Sequence, residues 1–373
     1  MGFHICITNP EASEISILEG VYGNSFGNVF SDANGQPKPS SGKTLKYSDS
    51  EGVIWGKIKD LYGVKEGDLI ILYIRKAKEF MGVFRVTENP YILFDDLFQD
   101  PYQKYPFRFN FVQEFFFPNN IPSHEFYSLV EQGKINSTAT VERDVNASYR
   151  GIRQLFEKEY QEILKLFYKY NPKTDPNNFT PITHVKQRFN SIEALNLPVT
   201  NFNSLTSPTK VLFNKIPNHQ SNNGITSLED ILHAYIVYNV LHDKNNVIQK
   251  LNLTNFNELI LEAPIFKLMQ YRSDILATFG SKDRIDFYSF FELKRDKKIG
   301  IRDLSQLMNY LKSFASSKSL PINSFEGVYI SNDFDEQVVE YLENRRLVES
   351  ENIVSLIKYQ VLPDNKVELS KII

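Results

Sequence analysis

Residues 285–294 read Ile-Asp-Phe-Tyr-Ser-Phe-Phe-Glu-Leu-Lys, and the last three, Glu292, Leu293 and Lys294, decide how the C-terminal third is read. The run is apolar and aromatic, as a buried strand is. Period two puts Glu292 and Lys294 on one face and Leu293 on the other. An acidic and a basic group at the end of a buried strand cost free energy unless both have a task. A solvated cross-strand face is the plainer alternative for that pair taken alone. Working outward, Leu259 to Phe266 and Tyr271 to Phe279 predict two preceding strands, the second carrying Asp274. Thr226-Ser227-Leu228-Glu229 has the capping-box pattern and predicts a helix to about Leu241. After Lys294 the spacing predicts a helix from Ile301 to Ala315, a strand from Phe325 to Ser331, a helix to Arg346 and a strand from Ile353 to Val361.

Metal-assisted phosphodiester hydrolysis needs clustered carboxylates for Mg²⁺, a means to present water, and a cation near the developing charge. Asp274, Glu292 and Lys294 supply that set. With the order helix, three strands, helix, strand, this segment resembles the PD-(D/E)XK nuclease superfamily. Gln306 and Tyr310, four apart on one helical face, match a Gln-x-x-x-Tyr pair found in one subgroup. The resemblance covers about residues 226–331. It implies that Asp274, Glu292 and the backbone carbonyl of Leu293 bind Mg²⁺, and that Lys294 positions water or stabilises the phosphate. Gln306 and Tyr310 would orient the site or touch the DNA backbone. Glu229 has two readings, a metal ligand on the first helix or the acidic half of the capping box. Lys297, Lys298 and Arg302 are candidates for phosphate contacts or for a solvated helix start.

Residues 1–120 have a different pattern. Phe3 to Ile7, Leu69 to Ile74, Phe80 to Val86 and Arg108 to Phe117 predict strands, and Ser50 to Tyr62 a helix. Lys65-Glu66-Gly67-Asp68 predicts a turn, and the Gly, Asn, Ser and Pro content of 20–43 a long loop. Thr8-Asn9-Pro10-Glu11, Gly20-Val21-Tyr22-Gly23, Gly67-Asp68-Leu69 and Met81-Gly82-Val83 follow one another in the order that resembles EVE and YTH modules of the PUA-like class. That resemblance implies a β-barrel with helices that holds one flipped modified base in an aromatic cage. Tyr22 stands where YTH modules carry a Trp. Trp55 and Tyr105 are further cage candidates, and Asn9 and Ser25 candidates for hydrogen bonds to the base edge.

Between these segments, 148–169 carries apolar residues at helical spacing, from Tyr149 to Phe167, and predicts one amphipathic helix. Residues 171–226 are rich in Asn, Pro, Ser and Thr, as a connector is. The expected organisation is therefore α+β and multidomain: 1–125 a PUA-like reader, 126–225 a connector, and 226–373 a nuclease with a mixed sheet. The single cysteine, Cys6, excludes a disulfide within the chain and fits a reducing compartment. No leader pattern or membrane span is expected, which points to the cytoplasm. A net charge of −3 argues against coating nucleic acid by bulk charge but leaves room for a locally basic cleft. Together these readings describe a Mg²⁺-dependent, modification-dependent restriction endonuclease acting on double-stranded DNA. It would work as a homodimer, because one site cuts one strand. A repair nuclease for structured or damaged DNA is one alternative. A non-catalytic nucleic-acid-binding protein with a degenerate nuclease fold is the other.

Overall fold

The computed structural model describes residues 1–25, 51–99, 104–136, 151–178, 209–210, 213–216, 221–264, 272–281, 284–349 and 353–373. Most of the expected 20–43 loop, much of the 171–226 tract, and Phe266 and Tyr271 lie outside them. The chain is α+β and divides into two compact units, Met1–Leu212 and Phe213–Ile373.

The first unit opens with β1 (Phe3–Thr8), α1 (Pro10–Glu19), β2 (Val21–Asn24) and α2 (Glu51–Tyr62). Then come β3 (Leu69–Ile74), β4 (Glu79–Val86), β5 (Tyr91–Ile92), β6 (Phe107–Phe115), β7 (Ile121–Pro122) and α3 (Ser123–Glu131). It ends with β8 (Ile152–Leu155), α4 (Glu157–Tyr170) and β9 (Thr209–Lys210). The sheet runs β8-β1-β3-β4-β6-β5-β9. It curls because β6 is shared: its first half pairs with β2 and its second half with β4. The turn before β3 forms as expected, with Gly67 at φ 88 and the Asp68 carboxylate accepting from Lys65 N at 3.0 Å.

The single helix expected over 148–169 is divided in the structure. Ile152–Leu155 adds an antiparallel strand to the edge of β1, and α4 starts only at Glu157. Ile152 and Leu155 have helical spacing, but the open edge of β1 supplies ladder partners, and that tertiary pairing overrides the local pattern. The Glu159 carboxylate holds the junction, accepting from Phe156 N at 3.1 Å and Asn136 N at 2.7 Å. The apolar stripe of α4, Tyr160, Ile163, Leu166 and Phe167, is buried in the core of this unit with Ile5, Ile71 and Phe126.

The second unit contains β10 (Ser221–Asn222), β11 (Ile225–Thr226), α5 (Glu229–Leu241), α6 (Val247–Lys250), β12 (Glu258–Pro264) and β13 (Arg272–Gly280). It continues with β14 (Ile285–Ile299), α7 (Ile301–Lys318), β15 (Phe325–Phe334), α8 (Glu336–Glu349), β16 (Val354–Val361) and β17 (Val367–Lys371). The expected order of helix, three strands, helix and strand is present. The sheet runs β12-β13-β14-β15-β16-β17. Only β14-β15 and β15-β16 pair in parallel, and α7 and α8 make those two crossovers. α7 lays Phe314 on Tyr288 and Phe290. Its Leu307 and Leu311 close over Gly327 of β15, where an added Cβ would lie 2.6 Å from Leu307.

The capping box expected at Thr226 does not form. Thr226 belongs to β11, Leu228 is the N-cap without a side-chain hydrogen bond, and Glu229 is the first helical residue. The strand pairing of Ile225 and Thr226 with β10 draws the chain away from the cap position. Among the described residues, no helix is long and apolar enough to cross a membrane.

Candidate metal and phosphodiester site

The site is built where three strands lose their ladder. Leu261 pairs with Ile275, and Ala263 with Ser273, so Glu262 lies opposite Asp274 without a regular pair between them. On its other side, β13 pairs with β14 as far as Ile275 and Phe291. One more residue in that register sets Asp274 opposite Glu292. Directly opposed residues share a face, so Glu262, Asp274 and Glu292 form a row of carboxylates across three strands. Glu262 has φ 53, a left-handed conformation that a glutamate adopts only under constraint. The opened ladder is closed by a side chain: Leu293 N donates to Asp274 Oδ2 at 2.7 Å. Leu293 thus enters the site through its N–H, whereas its carbonyl was the expected contributor.

Two residues of α5, one turn apart, complete the cluster. His233, Glu262 and Asp274 each bring a ligand atom, and these atoms lie within 4.8 Å of one another. Glu229, released from the capping role, places Oε1 3.7 Å from Lys294 Nζ. Glu292 Oε2 is 3.6 Å from the same ammonium. Lys294 therefore faces two carboxylates, with two more beside them.

Electrostatics follow from that crowding. Burial holds the Glu292 carboxyl well above the usual range, and the neighbouring Asp274 charge pushes it further. Burial also raises Asp274, against the pull of Lys294. Burial works against the Lys294 ammonium, but Asp274, Glu229 and Glu292 outweigh it and hold the pKa above its usual value. Glu292 is 8% exposed, and its Oε1 is buried with no hydrogen-bond partner among the described residues. An acid row that one lysine leaves under-neutralised, with an orphaned buried oxygen, is the donor set that a hard divalent cation satisfies. The residues present therefore fit Mg²⁺.

Gln306 and Tyr310 are hydrogen-bonded to each other on α7, with Tyr310 buried and Gln306 exposed. Tyr310 lies one turn before Phe314 on α7 and stands close enough to Tyr329 to act on it electrostatically. Tyr329, the β15 neighbour of Glu292, ties the strand to that helix by donating to Asp303 O at 2.7 Å. Burial, together with the Glu292 charge, keeps the Tyr329 phenol raised and protonated.

Sequence reasoning missed His233 and Glu262. Glu262 interrupts the apolar run Leu259-Ile260-Leu261, and that interruption was the available signal. His233 stands four residues after Glu229, but inside a helix buried from Ile231 to Val240 it reads as packing.

The five residues expected to bind a base have other roles in the structure. Tyr22 is 1% exposed, stacks on Phe109 at 5.0 Å, and donates to Gly151 O at 2.8 Å. Trp55 is 2% exposed in α2. Tyr105 packs with Phe98 and Ala12. Tyr22, Trp55 and Tyr105 are core side chains here and do not present an open cage. Asn9 caps α1, its Oδ1 accepting from Ala12 N at 2.7 Å. Ser25 receives Lys57 Nζ on its carbonyl oxygen at 2.8 Å.

No family model matches the chain, and no curated protein does. Similar solved structures include a protein of Agrobacterium tumefaciens, at 13% identity and TM-score 0.27, over 47% of this chain and 99% of that one. Another is the YTH domain of Zygosaccharomyces rouxii MRB1 in complex with N6-methyladenosine RNA, at 13% identity and TM-score 0.26, over 48% and 90%. A third is human THYN1 in complex with DNA containing 5-methylcytosine, at 13% identity and TM-score 0.27, over 47% and 100%. Likeness of that degree assigns neither a residue nor a function here.

Proposed function

We propose that the C-terminal unit is a divalent-metal-dependent nuclease acting on DNA, and that the N-terminal unit reads a modified base. The observation that carries the catalytic half is the row Glu262, Asp274 and Glu292, with Lys294 beside it on β14. Asp274 and Glu292 would hold Mg²⁺, with His233 and Glu262 on the far side of Asp274 and Glu229 near Lys294. A cation in this row supplies Lewis-acid polarisation of the phosphate and lowers the pKa of a bound water. Lys294 keeps its proton, so it serves as a donor to the attacking oxygen or to the phosphate as charge develops. The Leu293 N–H holds the Asp274 carboxylate, and Tyr329 ties α7 to β15, the strand beside Glu292. The row is one site, so cutting both strands calls for two chains.

The reader half is supported by the order of its motifs in the sequence and by the curled sheet that carries them. A panel of duplexes, each with one methylated or otherwise modified cytosine or adenine, tests both halves with Mg²⁺ present. Cleavage restricted to one modification supports the reading. Cleavage indifferent to modification removes the reader and leaves a nuclease for structured or damaged DNA. No cleavage of any duplex, with Mn²⁺ or Mg²⁺, removes the nuclease.

A further inference from the structure

The strand that carries Glu292 and Lys294 leaves its ladder directly after them. β14 and β15 pair as far as Lys294 and Ser331, then resume at Lys298 and Asp333. Arg295, Asp296 and Lys297 thus stand against Asn332 alone, as a bulge in a parallel pair. Bulges of this kind re-aim side chains and recur beside active sites. This one is held from two neighbouring strands. Tyr359 of β16 donates its hydroxyl to Arg295 O. Ser331 Oγ donates to Lys297 O at 2.6 Å, and Lys297 N donates to Asn332 Oδ1 at 3.2 Å. These bonds satisfy the backbone groups that the broken ladder leaves open and hold the bulge in one conformation.

The charge is equally one-sided. From Lys294 to Asp303 there are five cations, Lys294, Arg295, Lys297, Lys298 and Arg302, against Asp296 and Asp303. Lys297 is taken up by an ion pair with Asp303, which also anchors the start of α7 by accepting from Gly300 N at 3.1 Å. No ion pair among the described residues engages Arg295, Lys298 or Arg302; Lys298 and Arg302 are exposed, and Arg295 is half-buried. Lys298 is at most about 13 Å along the strand from Lys294, at about 3.3 Å per residue. That spans about four nucleotides at 3.4 Å of rise.

We infer that this pinned bulge is a clamp for the DNA backbone on one side of the scissile phosphate, with Arg295, Lys298 and Arg302 as the phosphate contacts. The inference rests on the nuclease reading. It supplies what the acid row lacks, since a cluster of carboxylates repels a polyanion unless fixed cations stand beside it. Lys297, a candidate from the sequence, is replaced in this role by Arg295.

The test uses the full chain in excess chelator, where nothing is cut, and measures duplex affinity across a salt series. The logarithm of affinity falls with log salt by about 0.9 per phosphate contact. The Arg295→Gln/Lys298→Gln/Arg302→Gln variant should therefore show a slope shallower by about 2–3. Between 50 and 200 mM salt it should lose roughly 16- to 64-fold less affinity than wild type does. A control removing three exposed cations elsewhere in the unit, Lys244→Gln/Lys250→Gln/Lys366→Gln, should keep the wild-type slope. An unchanged slope in the first variant, an equal change in the control, or a wild type without DNA affinity overturns the clamp. Metal-dependent cleavage by the wild type is scored separately: its absence removes the nuclease reading, while the slope difference alone decides the clamp.

Discussion

Replacing Glu292 with glutamine should make the metal-free protein more stable and the metal-bound protein less so. Glu292 is buried, one oxygen has no partner among the described residues, and burial and the Asp274 charge both hold its carboxyl above the usual range. In the folded state this group therefore keeps its proton to a higher pH than in the unfolded state, where it titrates near 4.3. The stability it contributes is full below that value and is lost as pH rises through the window up to the raised folded value. The metal-free wild type should lose melting temperature between pH 5 and pH 8, and Glu292→Gln should lose less. The magnitude at pH 8 is the penalty of an uncompensated buried polar group, about 1–3 kcal/mol and more for a charge. At about 2–4 °C per kcal/mol for a unit of this size, the variant should melt roughly 2–12 °C higher in chelator. Mg²⁺ should reverse the order. At a hundredfold excess over its dissociation constant a cation adds about 2.7 kcal/mol to the wild type, and the variant has lost one of the carboxylates that would hold it. Differential scanning calorimetry of both proteins, with chelator and with Mg²⁺, reads all four states. A variant less stable than wild type in chelator at pH 8, together with an equal metal-induced shift in both, would mean that Glu292 is neither costly when ionised nor a metal ligand.

Four further outcomes rest on packing and linkage. Gly327→Ala puts a methyl 2.6 Å from Leu307 and should cost about 1–3 kcal/mol by overpacking, read as a lower urea midpoint for the second unit. Tyr22→Phe should cost about 1 kcal/mol through the lost hydrogen bond to Gly151 O. Tyr22→Ala should cost about 3–5 kcal/mol and weaken modified and unmodified duplex equally; selective loss on the modified duplex would return Tyr22 to a base pocket. Burial pushes the Asp68 carboxyl up, but hydrogen bonds from His4, Gly2 N and Lys65 N outweigh it and leave the pKa lowered. A depressed carboxyl contributes stability above its unfolded pKa, about 3.9, which is lost as pH falls through the folded value. Urea midpoints of the first unit should therefore drop below about pH 4 in the wild type and stay flat in Asp68→Asn; equal pH dependence in both would contradict that assignment.

The shared placement of Glu292 and Lys294 was legible in the sequence because strand alternation is rigid. Glu292 and Lys294 share a face of β14, and the apolar run that precedes them sets that face. Glu262 was not legible as a partner of Asp274, because their juxtaposition depends on a break in the β12-β13 ladder and on a glutamate at positive φ. His233 was hidden by its burial, since a histidine on an all-apolar helix looks like packing. Glu229 was misread in one of its two roles: the capping pattern at Thr226 is local, and the β10-β11 pairing that defeats it is not. In the first unit, large aromatic side chains are marked as inward-facing but a core cannot be told from a cage, so Tyr22, Trp55 and Tyr105 were expected at a base and lie in packing. The strand at Ile152–Leu155 escaped notice for a related reason: its partner, the edge of β1, is nearly 150 residues away.

On the proposed function, the acid row and Lys294 hydrolyse DNA phosphodiesters with a divalent cation. The decisive assay is cleavage of a duplex carrying modified bases by the full chain and by Asp274→Ala, each with Mg²⁺ and with excess chelator. Asp274 touches Leu293 and lies between Glu262 and Glu292, so its loss should remove the site without removing the fold. Cutting is expected from the wild type with Mg²⁺ alone and from none of the other three reactions. Cutting by Asp274→Ala at the wild-type rate, or by the wild type in excess chelator, would contradict it.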